Sequence, residues 1–161
     1  MQPLWAPWRM EYIGSDPRPG CLFCRIIEHP EDPDSDLVLA RPENAVVLLN
    51  KFPYNPGHAL VAPLAHLPSL EELDDAQTAD LTHALRKTIA ALRKALTPEG
   101  FNIGVNIGRA AGAGIPDHVH YHVVPRWNGD TNFMAVVDDI KVVSEALHET
   151  AEKLRKAFAA S

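Results

Sequence analysis

Cysteine is nearly missing from this chain: only Cys21 and Cys24 stand among its 161 residues. They sit too close together for a bridge that staples a fold, which points to a reducing, cytoplasmic setting. Missing too is any run of about 18 apolar residues, so no membrane span is expected. The opening MQPLWAPWRMEYIGSDPRPG lacks the apolar stretch that a secretory signal needs. Nor is there an excess of positive charge. The 15 Lys and Arg against 21 Asp and Glu leave a formal net charge of −6, which excludes bulk attraction of a long nucleic acid. A small phosphate-bearing ligand stays open, because local donors decide its binding. No internal repeat or low-complexity tract is present.

What is there is ordinary in bulk. Apolar residues make up 46% and charged residues 22%, as in a soluble globular protein. The length predicts one domain, 1–161, around one core. Residues 1–20 carry Trp5 and Trp8 among prolines and read as an ordered arm against the domain or a partner subunit. CLFCRII is a short apolar helical segment, and EHPEDPDSD (28–36) a polar loop. DLVLARP (36–42), NAVVLLN (44–50) and HALVAP (58–63) read as strands, with the turn NKFPYNPG before the last. From Asp74 to Leu96 the period becomes helical through Leu81, Leu85, Ile89, Leu92 and Leu96, with Pro98 and Gly100 as the stop. FNIGVNI (101–107) and HVHYHVVP (118–125) return to strand, and an amphipathic helix over roughly 142–159 ends the chain. Short turns between strands and one long crossing helix predict an α+β fold on an antiparallel sheet.

The stretch DHVHYHVVPRW (117–127) carries the chemistry. On a strand, His118, His120 and His122 share one face, roughly 7 Å apart along the row, while Val119, Tyr121 and Val123 turn toward the core. Such a row serves either of two chemistries. Imidazoles can ligate a catalytic zinc that activates water. Alternatively, one neutral imidazole attacks phosphorus while its neighbours hold its tautomer and bind phosphate oxygens. The preceding RAAGAGIPD, with two glycines and three alanines, lets backbone N–H groups approach an anion and favours the phosphate reading.

The sequence His118-Val-His120-Tyr-His122-Val-Val124 resembles the signature of the histidine-triad (HIT) family, three histidines alternating with apolar residues. LLNKFPYNPGHALVAPLAH and CLFCRII resemble two further regions of that family, so the likeness spans about residues 21–127, leaving 128–161 as a C-terminal extension and helix. The resemblance implies a homodimer that transfers or hydrolyses nucleotidyl groups at the α-phosphate. It implies His120 as nucleophile, His122 as the residue that orients it and contacts phosphate, and His58 as the end of the hydrogen-bonded relay. Asn50 falls on the ribose position, and Leu22, Phe23 and Ile26 on the base-lining positions. LWAPWRMEYI and PRWNGDTNF (125–133) resemble the dinucleoside tetraphosphate phosphorylase branch, in which phosphate or water is the second nucleophile. One departure stands out. AGAGIPDH occupies the place where other branches carry Gly-Gln-Ser/Thr, so the donor to the leaving group is missing or comes from Asn106 or Asp117. Backbone donors near Gly112 and Gly114 then hold the phosphate charge.

Alone, Cys21-x-x-Cys24 is open between redox, zinc and core roles. The resemblance implies a structural zinc on Cys21, Cys24, His66 and His118, a closed Cys₂His₂ set that leaves the reaction to His120. His29, His83 and His148 read as surface, and Trp127 as packing. Rival functions are an adenosine 5'-phosphoramidase with the same triad, a nucleotide-binding protein with little turnover, and metal-dependent hydrolysis at the row.

Overall fold

The computed structural model describes residues 20–130 and 146–160. The expected N-terminal arm and the first residues of the last helix lie outside that range. Five strands form one antiparallel sheet: β1 (Val38–Ala40), β2 (Ala45–Leu49), β3 (Ala59–Pro63), β4 (Gly100–Val105) and β5 (Tyr121–Arg126). Their order is β1-β2-β3-β5-β4. Helices α1 (Leu22–Glu28), α2 (Asp75–Leu96) and α3 (Leu147–Ala159) complete the fold. The architecture is the expected α+β one, with α2 crossing between β3 and β4.

β2 and β3 do not alternate apolar with polar residues, and every residue in both is buried. The reason is that both faces of the sheet centre are covered. On one face, Val47, Leu49, Ala59, Val61 and Val123 meet Leu81, Ala84 and Leu92 of α2 and Ala151 and Leu154 of α3. On the other, Val46, Leu48, Leu60 and Ala62 meet Phe23 and Ile26 of the short α1. Full burial of a side chain the size of Phe23 contributes about 1.5–3 kcal/mol.

Helix α2 starts at a capping box: the Asp74 carboxylate accepts from the Gln77 N–H, and the Gln77 amide oxygen accepts from the Asp74 N–H. It ends at Leu96, ahead of the expected Pro98–Gly100 stop, with the cap one residue before Pro98. Thr97 takes the left-handed position at φ 48°, and Gly100 already opens β4. The polar 28–36 stretch is also more ordered than a loop. Its second half is a 3₁₀ turn, Pro33–Leu37, whose buried Asp34 meets Arg25 of α1 at 3.4 Å and Lys51 at 3.3 Å. Those ion pairs fasten α1 and the residue after Asn50 to the same carboxylate. Among the described residues, no helix is long and apolar enough to cross a membrane.

Candidate active site and metal centre

The strand expected over 118–125 starts only at Tyr121. His118 and His120 therefore precede the β5 ladder and are held by individual hydrogen bonds. The backbone N–H of Val119 donates to the Leu67 carbonyl at 2.7 Å, which anchors the approach to β5. Val119 and Val123 are buried, and Tyr121 is partly so, as the alternation predicts.

The imidazoles lie in a file of rings along the face that α1 covers. His66 and His118 are 5.3 Å apart between centroids, and Phe23 stands 4.9 Å from His118 and 5.0 Å from His120. His120 and His122 follow at 5.1 Å, His122 and His58 at 5.2 Å, and Tyr54 stacks on His58 at 4.8 Å. The face is set by the sheet. His122 pairs with Leu60, whose side chain belongs to the α1 side.

Hydrogen bonds define the ring tautomers. His120 Nδ1 lies 2.8 Å from the His118 carbonyl, which can only accept, so Nδ1 carries the proton and Nε2 keeps its lone pair. Burial holds the His120 pKa below the ordinary imidazole range, so the ring is neutral at pH 7. His58 Nδ1 accepts the Tyr54 backbone N–H at 3.1 Å, which leaves the proton on Nε2. That Nε2–H donates to His122 Nδ1 at 3.0 Å, and the remaining proton of a neutral His122 is therefore on Nε2. His58 is fully buried. Asn50 is held beside it: its Nδ2 lies 3.4 Å from His58 Nδ1, and its Oδ1 accepts from Phe52 N–H at 2.9 Å.

At the other end of the file, His118 Nε2–H donates to the Pro63 carbonyl at 2.8 Å. Its Nδ1 lone pair then faces Cys21 Sγ at 3.4 Å and Cys24 Sγ at 3.8 Å, while Cys24 Sγ lies 3.2 Å from His66 Nδ1. The four donor atoms all fall within 4.8 Å of one another. A tetrahedral zinc with bonds of about 2.3 Å to sulfur and about 2.0 Å to nitrogen needs sulfur–nitrogen separations of roughly 3.5 Å. The cluster fits that geometry, and the Pro63 carbonyl supplies the orienting hydrogen bond that metal-bound histidines use. Two of the four resist ionising, Cys24 and His118. Burial, then the neighbouring Cys21, push the Cys24 thiol up to about 11, and burial pushes His118 down to about 4. Both cysteines are free thiols.

Other expected residues are placed less directly. Phe23 and Ile26 are fully enclosed in the core, so of the three base-lining residues only Leu22 keeps some exposure. Gly112 caps the 3₁₀ turn Arg109–Ala111 in the left-handed region. Its N–H already donates to the Arg109 carbonyl, and that of Ala113 to Gly108. Across Gly112, Ala113 and Gly114, the Gly114 N–H alone makes no backbone hydrogen bond among the described residues. No hydrogen bond among the described residues joins Asn106, Asp117, Gly112 or Gly114 to the histidines. His29, His83 and His148 are exposed, and Trp127 is half-buried. Three contributors escaped the sequence reading: the Phe23 ring between two imidazoles, the Tyr54 backbone that sets the His58 tautomer, and the Pro63 carbonyl. Their only signal was nearness in sequence to a histidine or a cysteine.

Residues 32–129 match the HIT domain. The chain belongs to the HIT family. It is 37% identical to the AP-4-A phosphorylase of Mycobacterium tuberculosis over 99% of this chain and 85% of that one. The adenosine 5'-monophosphoramidase of Schizosaccharomyces pombe is 36% identical over 67% of this chain and 75% of its own. Among solved structures, a zinc-bound histidine triad family protein from Mycobacterium smegmatis superposes with a TM-score of 0.71. It is 30% identical, with 88% of this chain and 94% of that one covered. This HIT protein is accordingly an enzyme of the nucleotide hydrolase and phosphorylase kind.

Proposed function

We propose that this HIT enzyme cleaves a nucleoside polyphosphate of the diadenosine tetraphosphate type at the α-phosphate, through a nucleotidyl group carried on His120. The observation that carries the reading is the orientation of His120: Nδ1–H committed to the His118 carbonyl, the ring buried and neutral, Nε2 holding a lone pair. In the first step Nε2 forms a bond to the α-phosphorus as the bridging P–O bond breaks, and the remaining polyphosphate leaves with that oxygen. His122, fixed by the His58 Nε2–H, directs its own Nε2–H toward the phosphate oxygens. In the second step, water or inorganic phosphate attacks the same phosphorus and the P–N bond breaks, returning neutral His120. Asn50 binds the ribose, Leu22 with Phe23 and Ile26 forms the wall behind the base, and Asn106 with the Gly112–Gly114 turn borders the phosphates.

Cys21, Cys24, His66 and His118 hold a structural zinc in this reading, and the zinc-bound relative supports it. The ion supplies a closed tetrahedral link between α1 and the segment before β5, and the reaction at His120 needs none of its chemistry. Free thiols available to a metal suit a reducing cytoplasm. A homodimer belongs to the same reading. β4 is an edge of the sheet, and Ile103 on it is 45% exposed, with Ile107 just beyond it at 41%. An apolar edge of that kind suits pairing with a second copy.

Product analysis of diadenosine tetraphosphate, with and without inorganic phosphate, tests the proposal, with His120→Ala as control. ADP plus ATP released only with phosphate identifies a phosphorylase, and AMP plus ATP in either tube a hydrolase. The phosphoramidase relative favours a second reading. If no polyphosphate is cleaved but an adenosine phosphoramidate is, that reading replaces the first. Tight AMP binding without turnover of either substrate leaves a binding protein.

A further inference from the structure

The relay joins two separate elements, and the β3–β5 ladder stops one residue short of His58. The β3–β5 ladder pairs Val61 with Tyr121, Leu60 with His122 and Ala59 with Val123. His58 lies one residue beyond the last pair. Carried two residues further, the register would set Gly57 opposite Pro125. At Gly57, however, the chain is in the left-handed region (φ 77°) and has turned into the 50–58 loop. That loop closes on His58: Asn50 N–H donates to the His58 carbonyl at 2.8 Å, and His58 N–H to the Asn55 carbonyl at 3.0 Å. Neither of these two bonds reaches β5, where the backbone ladder leaves a gap opposite Pro125.

The Asn55 side chain bridges that gap. It is only 3% exposed, and its Nδ2 donates to the Pro125 carbonyl of β5 at 2.9 Å and to Asp130 Oδ2 at 2.7 Å. Asp130 is held in turn by Arg126, through Nε at 2.5 Å and Nη2 at 2.9 Å. Arg126 also reaches Asn102 of β4 at 2.6 Å. Thus the carbonyl left open where the backbone ladder stops is taken by a buried amide from the loop that carries His58.

We propose that Asn55 is a positioning residue for the His58–His122 pair, with Asp130 and Arg126 as its lock. It acts through the loop: its side chain bonds to Pro125 and Asp130 and to neither imidazole among the described hydrogen bonds. A hydrogen bond weakens steeply as distance and angle depart from their optimum, so a small drift of the loop from β5 loosens the 3.0 Å His58–His122 contact and frees the His122 ring. The inference rests on the reading of His122 as the residue that orients phosphate and nucleophile.

The test compares wild type with Asn55→Ala, Asn55→Asp and Asp130→Asn in the full chain. Readouts are the ring-nitrogen NMR signals of ¹⁵N-labelled histidine, kcat and KM on diadenosine tetraphosphate, and thermal unfolding. For Asn55→Ala, kcat falls about 10- to 100-fold with KM nearly unchanged, as for a displaced catalytic geometry. The His58 and His122 nitrogens then move from fixed tautomers toward exchange averages. Asn55→Asp is at least as damaging, because a carboxylate cannot donate to the Pro125 carbonyl and repels Asp130. Asp130→Asn keeps a neutral acceptor and loses about two- to fivefold in kcat. Wild-type kcat and ring signals in Asn55→Ala overturn the proposal, as does a fall in stability alone with the tautomers unchanged. If that variant does not fold, Asp130→Asn decides by the same two readouts. If wild type cleaves no polyphosphate, the functional reading fails, while the ring signals still decide the positioning role.

Discussion

The two ends of the histidine file use the same side chain for opposite purposes. At one end His118 turns Nδ1 toward Cys21 and Cys24, with His66 on the far side of Cys24, because the Pro63 carbonyl takes the proton on Nε2. Two residues later His120 keeps Nε2 open, because the His118 carbonyl takes the proton on Nδ1. Backbone carbonyls thus assign the tautomers, and under the proposed function the tautomers divide the work: a donor set fitted to a metal on one side, a nucleophilic nitrogen on the other. The lesson of the difference is that a histidine pattern states where imidazoles are, whereas the acceptors around it state which nitrogen is free.

Breaking each end in turn should separate them. The largest effect is expected from His120→Ala, which removes the proposed nucleophile: kcat falls roughly 10⁴-fold or more. Its thermal midpoint stays near the wild-type value, and steady-state kinetics beside a melting curve checks both. Cys24→Ser should do the reverse. Loss of one metal ligand costs several kcal/mol, which lowers the midpoint by about 10 °C for a chain of this length. Activity measured well below the new midpoint survives, and zinc content by elemental analysis drops. A chelator that stopped turnover at once, before any unfolding, would contradict this division and restore the metal-hydrolysis reading. The smallest of the three effects is expected at Gly57, just before the relay histidine. A Cβ there would lie 2.4 Å from Leu96 Cδ1 and 3.2 Å from Leu92 Cδ2, at φ 77°. Gly57→Ala should cost about 1–3 kcal/mol, part of it from the left-handed backbone and part from displacing the leucine ends on α2. Urea unfolding reads that cost.

Much of this was legible in the one-dimensional chain. The helix over Asp74–Leu96 was visible from its leucine spacing, and β2 and β3 from their unbroken apolar runs, because period and burial are local consequences of which faces are covered. The triad was visible because its alternation is rare without a use. Even the Cys21, Cys24, His66, His118 set could be named through the family resemblance, and the fold brings those four together. Less legible were features that depend on a partner distant in the chain. The strand expected from His118 starts at Tyr121, because β3 supplies ladder partners only as far as Val61 opposite it. Phe23 and Ile26, set on base-lining positions by the resemblance, also pack against Leu48 of β2 and Leu60 of β3, which no local pattern connects to α1. Gly112, read as a phosphate donor, has its N–H taken by Arg109 within its own turn.

By itself, then, the sequence determined the elements and the residue types of the chemistry, since these follow from side-chain pattern and from motifs carried on contiguous residues. Only the tertiary structure decided which nitrogen of His118 and of His120 carries the proton, and that Asn55 ties the relay loop to β5. Those outcomes depend on carbonyls and amides brought within 3 Å across the sheet. Hydrogen-bond geometry of that kind belongs to the folded arrangement of distant segments and to no single stretch of chain.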